Sequence, residues 1–260
     1  MHVLYVTSFA PDMYYATGAP LLESFMETGS EGSFLVAHEG QLGDVIARSW
    51  PTVLRHDLDS SAFLRQWLDQ HRDIVPVERG GEATPCQCPG RDTERHEVGC
   101  HWDWYNRNAC RWFRKIVALD HALDLEDWTH VVWLDSDCRF LQQVPAATIC
   151  QVFGTSSMFY LRGSDRMVIE SGIIGFKRDQ PGLTLLRHVI DRYRSGLFRQ
   201  DARWDDGYQF GLTVDEHPEA PSIDIATRSG DFDYVVPGSA LGRHLAHFKG
   251  VHGPVLRLMR

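Results

Sequence analysis

The sequence predicts an α/β protein in which helices flank a mostly parallel sheet. The chain opens with an apolar segment, an amphipathic segment and a second apolar segment, which is the β-α-β order typical of a parallel sheet. A later amphipathic segment leads directly into another apolar segment, over residues 111–138. With 260 residues, 43% of them hydrophobic and 23% charged, the chain is long enough to bury a substantial core.

The opening unit is predicted from local patterns. Residues 2–10 (HVLYVTSFA) are apolar and β-rich, and residues 33–40 (SFLVAHEG) predict a second strand. Between them, residues 20–29 (PLLESFMETG) have helical spacing, with Pro at the start and Gly at the end. Residues 60–71 (SSAFLRQWLDQH) begin with a capping serine and predict another helix.

The second half of the chain continues the alternation. Residues 111–124 predict an amphipathic helix, and residues 130–138 (HVVWLDSDC) predict a strand that runs into acidic residues. Residues 156–163 and 171–179 predict two further strands, and residues 182–198 predict a long amphipathic helix. We expect one domain over residues 1–260.

Residues 76–110 interrupt this pattern and predict an inserted loop or small subdomain. The segment is rich in Gly, Pro, Cys and charge, and it has no clear period. Thiolates and imidazole at the separations found here can enclose a tetrahedral Zn²⁺, which would act as a structural staple. Incidental free thiols are the alternative. The candidate zinc ligands are Cys86, Cys88, Cys100, His101 and Cys110.

Charge is distributed unevenly along the chain. Residues 1–85 hold 5 Lys and Arg against 12 Asp and Glu, whereas the whole chain has a formal charge of −9. The second part of the chain is therefore nearly balanced, and the total charge does not exclude a nucleic-acid partner. We expect no membrane span and a cytoplasmic location, since no apolar run approaches 18 residues and the first residues lack the features of a signal peptide.

Two acids, Asp135 and Asp137, follow the apolar segment VVWL. An ordinary turn is one interpretation, because Asp and Ser bond their own backbone and stop a strand. A metal site is the other, because side chains at i and i+2 of an extended segment point the same way. Mg²⁺ and Mn²⁺ prefer such oxygen ligands and leave positions open for phosphates. Since ligands of open α/β sheets bind at the carboxyl ends of strands, we favour the metal site.

Several stretches together resemble GT-A glycosyltransferases, which hold a nucleotide-sugar diphosphate through a divalent metal. VVWLDSD is similar to their DXD motif, VLYVTSFAPDMYYATGAPLLESF to their nucleotide-binding first strand and helix, and RWFRKIVALDHAL to their basic helix. IESGIIGFKRD and HFKGVHGP resemble a strand and the closing segment of glycogenin-like retaining enzymes, although this chain has Gly253 where those enzymes have a lysine. The LDxD and HxKG pattern of this chain also resembles that of short stand-alone enzymes of bacteriophages, where some enzymes glycosylate modified DNA bases.

This resemblance implies a hexosyltransferase that uses Mn²⁺ or Mg²⁺ and a nucleotide sugar of the UDP-sugar class. Asp137 would be the direct metal ligand, and Asp135 would be shared between the metal and the ribose. His247 would complete the metal shell, and Lys249, beside Gly250, would contact the β-phosphate. A structural histidine and a solvated lysine are the alternatives.

Further residues are candidates for holding the donor. Arg111 and Lys115 lie four apart on one face of the predicted helix and would approach the diphosphate or the sugar. The alternative is an exposed basic face. Thr7 and Ser8 end the first strand, where the nucleobase would lie, although they would also serve to cap a loop.

Three carboxylates are candidate catalytic residues on the sugar and acceptor side, namely Glu170, Asp205 and Asp206. An inverting enzyme needs a carboxylate base near the acceptor hydroxyl, which Asp205 or Asp206 would supply. A retaining enzyme needs no such base, because the leaving diphosphate takes the proton. The other interpretation of the two aspartates is a helix N-terminus, where Asp is favoured.

For the acceptor, we expect a hydroxymethylated pyrimidine in DNA, in a host cytoplasm if the chain is encoded by a phage. The insert places Arg91, Arg95 and Arg107 among aromatic residues, a mixture suited to phosphate contact and base stacking. A base in a duplex would have to be flipped out to reach the sugar. A cell-surface glycan, a lipid-linked sugar or a protein hydroxyl is the alternative acceptor.

Two other functions compete with glycosyl transfer. One is a zinc-stapled nucleic-acid-binding module that uses Trp102, Trp104 and Tyr105 for stacking. It leaves the acidic strand end without a role. The other is a nucleotidyltransferase, which usually shows a Gly-rich phosphate loop, and TSFAPDMYYATG has none of that character.

Overall fold

A seven-stranded sheet forms the centre of the structure, a computed structural model that describes residues 1–76, 105–162, 168–226 and 239–248. The strands in the described ranges are β1 (Val3–Phe9), β2 (Ser33–His38), β3 (Leu54–Asp57), β4 (His130–Leu134), β5 (Cys138–Phe140), β6 (Met158–Leu161), β7 (Glu170–Lys177), β8 (Ser222–Asp224) and β9 (Leu245–His247). The central sheet has the order β3-β2-β1-β4-β7-β6-β8, and β5 pairs with β9 in a second, small sheet. Every neighbouring pair of the central sheet is parallel except the two pairs that β7 makes. The predicted α/β class with a mostly parallel sheet is confirmed.

Helices cover both faces of this sheet. They are α1 (Pro11–Met13), α2 (Ala19–Thr28), α3 (Leu42–Ser49), α4 (Ala62–Gln70), α5 (Ala109–Asp124), α6 (Ala146–Phe153), α7 (Gln180–Arg194) and α8 (Asp206–Glu216), with a π-helical turn (Tyr14–Gly18) between α1 and α2. The buried residues fall into two clusters: α4, α5, α7 and α8 contribute to one, and α2, α3 and α6 to the other. None of the helices in the described ranges has the length and apolarity needed to cross a bilayer.

Successive side chains of β1 belong alternately to the two clusters of buried residues. Leu4 and Val6 belong to one cluster, and Val3 and Tyr5 belong to the other. Because successive side chains of a strand point to opposite faces, a strand that is covered on both faces must be apolar at every position. This explains why the opening segment of the chain is continuously hydrophobic.

Most predicted elements form close to their predicted bounds, with two informative differences. The long helix α7 ends at Arg194 instead of continuing to residue 198, because Gly196 adopts a left-handed φ of 78° and the chain turns into a short 3-10 segment, Leu197–Gln200. Helix α5 begins at Ala109, two residues earlier than predicted. The sequence patterns did not indicate α3, α6 or the small sheet of β5 and β9.

Strand β7 runs antiparallel to β4, so the first residues of β7 lie beside the end of β4. Leu134, the last residue of β4, lies opposite Ile173 of β7. Immediately beyond, the backbone N–H of Asp135 donates to the carbonyl oxygen of Gly172 at 2.8 Å. The residues at 170–172 and the acids that follow β4 therefore meet at the edge of the sheet where the parallel strands end.

Candidate metal centre

The turn after β4 brings its acids against residues from the end of the chain. The backbone N–H of Cys138 donates to the carbonyl of Asp135 at 2.9 Å, which closes the turn. Strand β5 then pairs with β9, and Cys138 lies opposite His247. The backbone N–H of Phe248 donates to the carbonyl of Asp137 at 3.1 Å. This small sheet therefore fixes His247 beside the acidic turn.

Possible metal-binding atoms of the acidic turn and of His247 converge here. The Nε2 atom of His247 lies 3.1 Å from Oδ1 of Asp137 and 3.9 Å from Oδ2 of Asp135. Ligand atoms of Asp137, Cys138 and His247 all lie within 4.8 Å of one another, and across the described residues this is the one such group of His, Cys, Asp and Glu. The turn and β9 together thus form a candidate site for a metal ion.

Cys138 is a poor ligand in this group. Burial raises the pKa of its thiol well above the ordinary value, and the carboxylates of Asp137 and Asp135 raise it further. Its Sγ atom lies 3.6 Å from the carbonyl of Gly172, which can accept from the protonated thiol. Asp137 and His247, with the neighbouring Asp135, are therefore the better candidate ligands. Two carboxylates and one imidazole fit Mn²⁺ or Mg²⁺, which favour oxygen donors.

The ring of His247 is enclosed. Its side chain is only 5% exposed, and a Cβ atom added at Gly172 would collide with the Cε1 atom of the ring. Glycine at 172 is therefore what makes room for the imidazole. Burial lowers the pKa of His247, but the hydrogen bond with Asp137 and the charges of Asp135 and Glu170 outweigh burial and raise the pKa overall.

The side chain of Lys115 is buried, and its ammonium group contacts the same acidic turn. Its Nζ atom lies 2.8 Å from the carbonyl oxygen of Ser171, 3.0 Å from Oδ1 of Asp135 and 2.5 Å from Oδ2 of Asp206. Burial lowers the pKa of this lysine, yet the two carboxylates more than compensate and the pKa is raised. An ammonium has three N–H donors, and three acceptors surround this one. Lys115 therefore joins Asp135 to helix α8.

The two predicted acceptor-side aspartates have different surroundings. Asp205 caps α8 by accepting from the backbone N–H of Tyr208 at 3.3 Å, as the helix N-terminus interpretation expects. Arg203 donates to both of its carboxylate oxygens, at 2.7 and 2.9 Å. Burial raises the pKa of Asp205, and Arg203 opposes that rise. Asp206 is buried and faces Lys115.

The remaining predicted site residues that the structure describes differ in their burial. Thr7 is fully buried within β1, whereas Ser8 is partly exposed. Arg111 is exposed although Lys115, four residues later on the same helix, is buried. Glu170 is buried next to His247. Lys249 and Gly250 lie outside the described residues.

The predicted zinc cluster has one member in the described ranges. Cys110 lies in the first turn of α5, where it is buried against the core. Burial raises the pKa of its thiol. The zinc site remains a prediction, since Cys86, Cys88, Cys100 and His101 lie outside the described residues.

The π-helical turn holds two residues that the sequence patterns did not single out, and one of them contacts the acidic turn. The hydroxyl of Thr17 lies 3.0 Å from the hydroxyl of Ser136, between the two acids, and it also donates to the carbonyl of Met13 at 3.0 Å. Tyr15, in the same π-helical turn, is 73% exposed. A π-helical turn is rare and frequently marks a functional site, but no local sequence pattern predicts it.

Comparison with known proteins identifies the fold. No protein-family model matches the sequence, and no curated protein matches it. The apo crystal structure of mouse xyloside xylosyltransferase 1 is similar, with 11% identity and a TM-score of 0.52 over 96% of this chain and 98% of that chain. The apo structure of the glycosyltransferase GlyE of Streptococcus pneumoniae TIGR4 aligns with 11% identity and a TM-score of 0.44 over 86% of this chain and 45% of that chain. The likeness to the mouse protein matches the GT-A type of α/β fold that the sequence predicts.

Proposed function

We propose that this protein is a metal-dependent glycosyltransferase that transfers a hexose from a nucleotide sugar, of the UDP-sugar class, to a hydroxyl acceptor. The observation that carries the proposal is that His247 lies 3.1 Å from Asp137 and 3.9 Å from Asp135 at the carboxyl edge of the sheet. Open α/β sheets bind their ligands at this edge. Further support comes from the fold shared with a xylosyltransferase.

We assign to each residue of the centre the role that the resemblance to GT-A glycosyltransferases implies. Asp137 and His247 would hold Mn²⁺ or Mg²⁺, with Asp135 between the metal and the ribose. When bound, the cation supplies positive charge that neutralises the leaving diphosphate. Lys249, two residues after His247, would contact the β-phosphate, and the exposed Arg111 would approach the donor from α5.

The nucleobase would lie where β1 ends. The partly exposed Ser8 lies there, and the exposed ring of Tyr15 stands in the turn that follows. An exposed aromatic ring is a surface on which a base can stack. We therefore add Tyr15 to the residues proposed to hold the donor.

The acceptor side favours a mechanism without a protein base. Asp205 is bonded to Arg203 and to the α8 backbone, and Asp206 faces Lys115. Each carboxylate thus has a partner that stabilises it in place. This favours transfer in which the leaving diphosphate accepts the proton of the acceptor hydroxyl. Asp205 and Asp206 would then hold the residues around the sugar in place.

For the acceptor we propose a hydroxymethylated pyrimidine in DNA. Aromatic and cationic side chains adjoin the acceptor-side acids: the guanidinium of Arg203 lies 4.1 Å from the ring centre of Tyr105, and Arg203 is bonded to Asp205. Such a mixture suits base stacking and phosphate contact. Arg107 follows two residues after Tyr105, at the end of the proposed insert.

The first experiment measures hydrolysis of a panel of UDP-sugars with and without Mn²⁺. We expect turnover that EDTA abolishes and that Asp137→Ala reduces by at least about a hundredfold, because the diphosphate charge would be uncompensated. Asp44→Ala, which removes an exposed acid from α3, is the matched control and should retain full activity. Full activity in EDTA would contradict the metal-dependent mechanism.

The second experiment identifies the acceptor. The enzyme, Mn²⁺ and the UDP-sugars are incubated with DNA that contains 5-hydroxymethylcytosine or 5-hydroxymethyluracil, and the digested nucleosides are weighed by mass spectrometry. We expect a hexose-sized increment on the modified nucleoside. Transfer to a saccharide acceptor with no increment on DNA would assign the enzyme to glycan assembly instead.

A further inference from the structure

Glu170 is a buried carboxylate in contact with the proposed metal site. It begins β7, and only 4% of its surface is exposed. Its Oε1 atom accepts from the backbone N–H of Gly172 at 3.2 Å and lies 3.7 Å from the Nδ1 atom of His247. A buried charge is costly unless it is both hydrogen-bonded and paired with an opposite charge or a polar N–H, and the neighbouring imidazole is a group that can supply the second partner.

The two nitrogen atoms of His247 face different acids. Nε2 points towards Asp137 and Asp135, whereas Nδ1 points towards Glu170. The ring also packs against Gly172, where even a Cβ atom would collide with it. The imidazole is therefore held on three sides, and Glu170 is the group that faces its second nitrogen.

We propose that Glu170 is a positioning residue: its Oε1 atom faces Nδ1 of His247 at 3.7 Å, just beyond hydrogen-bond distance, and would accept the Nδ1–H when a cation binds Nε2, which keeps the Nε2 lone pair directed at the cation. Metal-bound histidines usually donate their other ring N–H to a carboxylate or carbonyl, which fixes the tautomer and the orientation of the ring. The inference rests on the proposed function for the existence of the metal site. It assigns Glu170 to the histidine, in place of a catalytic role at the sugar.

Three substitutions separate positioning from simple negative charge. Glu170→Ala removes the acceptor. Glu170→Gln keeps an acceptor oxygen at the same reach but removes the charge, whereas Glu170→Asp keeps the charge but withdraws the oxygen by one methylene. If Glu170 positions the ring, the Gln variant should bind metal better than the Asp variant. If it contributes charge alone, the order should be reversed.

The readout is Mn²⁺ affinity of the whole protein without nucleotide sugar, measured by electron paramagnetic resonance of free Mn²⁺. We expect Glu170→Ala to weaken binding by about 10- to 100-fold, as is usual when such a partner of a metal-bound histidine is lost. Glu170→Gln should stay within roughly fivefold of the wild type, because an amide oxygen is a weaker acceptor than a carboxylate but still accepts. Circular dichroism of the metal-free variants checks that each is folded.

Asp137→Ala distinguishes failure of this inference from failure of the proposed function. If Asp137→Ala abolishes Mn²⁺ binding while Glu170→Ala and Glu170→Asp bind as the wild type does, the positioning role is wrong and the metal site stands. The same holds if Glu170→Asp binds better than Glu170→Gln. If the wild type does not bind Mn²⁺, both the metal site and the positioning role are wrong.

Discussion

A single buried charge, the ammonium of Lys115, connects the acidic turn to helix α8. It faces Asp135 at 3.0 Å and Asp206 at 2.5 Å, and its position 4.9 Å from the ring centre of Trp133 adds a cation–π contact. The indole N–H of Trp133 also donates to Asp135 at 2.7 Å. The carboxylate of Asp135 is therefore held from two directions before any ligand binds, which is the preorganisation that a metal or ribose contact requires.

Removing this lysine should destabilise the fold as well as the site. Lys115→Met keeps the length of the side chain but leaves the buried carboxylate of Asp206 without its counter-charge. We expect a loss of about 3–5 kcal/mol in the free energy of unfolding, measured by urea denaturation. The double variant Lys115→Met with Asp206→Leu should recover part of that loss, because Asp206 then no longer carries an unpaired buried charge. Equal stability of Lys115→Met and the wild type would contradict the assigned ion pair.

The π-helical turn Tyr14–Gly18 is an element whose position links β1 to the acidic turn. It directs the buried hydroxyl of Thr17 at Ser136, 119 residues further along the chain. A regular α-helix after β1 would place its side chains at a different angle, because the extra residue of a π turn shifts the register of all that follow. The turn therefore supports the conformation of Asp135-Ser136-Asp137.

Thr17→Val should weaken metal binding and lower the stability by a similar amount. The substitution preserves shape but removes the hydroxyl that bonds to Ser136, and we expect a stability loss of about 1 kcal/mol together with a several-fold rise in the Mn²⁺ dissociation constant. Thr28→Val is the matched control, since the hydroxyl that it removes bonds to Ser24, Phe25 and Ser30, all within or just after α2. Equal Mn²⁺ affinities of the two variants would disprove the support role.

Stacked histidines join strand β3 to helix α5. The rings of His56 and His121 are 3.8 Å apart with an interplanar angle of 16°. Burial, together with the neighbouring His121, lowers the pKa of His56 to about 4, and the nearby Asp57 opposes this. The unfolded chain, with a pKa of about 6.5, binds this proton more readily, so the free energy of unfolding should fall as the pH drops from about 6.5 towards 4.

His56→Phe tests this pH dependence. Phenylalanine keeps a flat ring on His121 but does not titrate. Over that pH range, the free energy of unfolding of the variant should therefore fall by about 1 kcal/mol less than that of the wild type, after solvent screening is taken into account. The measurement is chemical denaturation at several pH values. Above pH 7 the difference in free energy of unfolding between the two proteins should be constant. If that difference stays constant down to pH 4, the lowered pKa of His56 is wrong.

In the whole molecule, the proposed metal site joins segments that lie far apart in the chain. Asp135 and Asp137 follow the central strand β4, and His247 comes from β9, more than one hundred residues later. Because the ligands meet only in the folded chain, a bound cation must stabilise the folded state relative to the unfolded one.

Mn²⁺ should therefore raise the melting temperature. At a free concentration of about 100 times the dissociation constant, the stabilisation is about 2.7 kcal/mol, which corresponds to roughly 5–10 °C for a chain of this size. Differential scanning fluorimetry with MnCl₂ measures the shift. It should vanish in His247→Gln, and an equal shift in that variant would place the binding elsewhere.

Local patterns were sufficient to predict the framework of the site. The β-α-β opening, the helix before β4 and the acids at the end of β4 follow from apolar periodicity and turn residues, which depend on neighbours within a few positions. Asp135 and Asp137 could thus be recognised as acids at a strand end from the order of residues alone. Periodicity also indicated the strand that begins at Glu170, but not its direction or its neighbour.

Contacts between distant segments settled the remaining features. The reversed direction of β7 sets Gly172 beside Asp135, the pairing of β5 with β9 sets His247 beside Asp137, and the packing of α5 against α8 sets Lys115 between Asp135 and Asp206. None of these follows from local spacing, because strand pairing and the enclosure of a charge depend on residues tens to hundreds of positions apart. The sequence thus supplies the chemical groups at the ends of its elements, and the packing of those elements determines which groups meet.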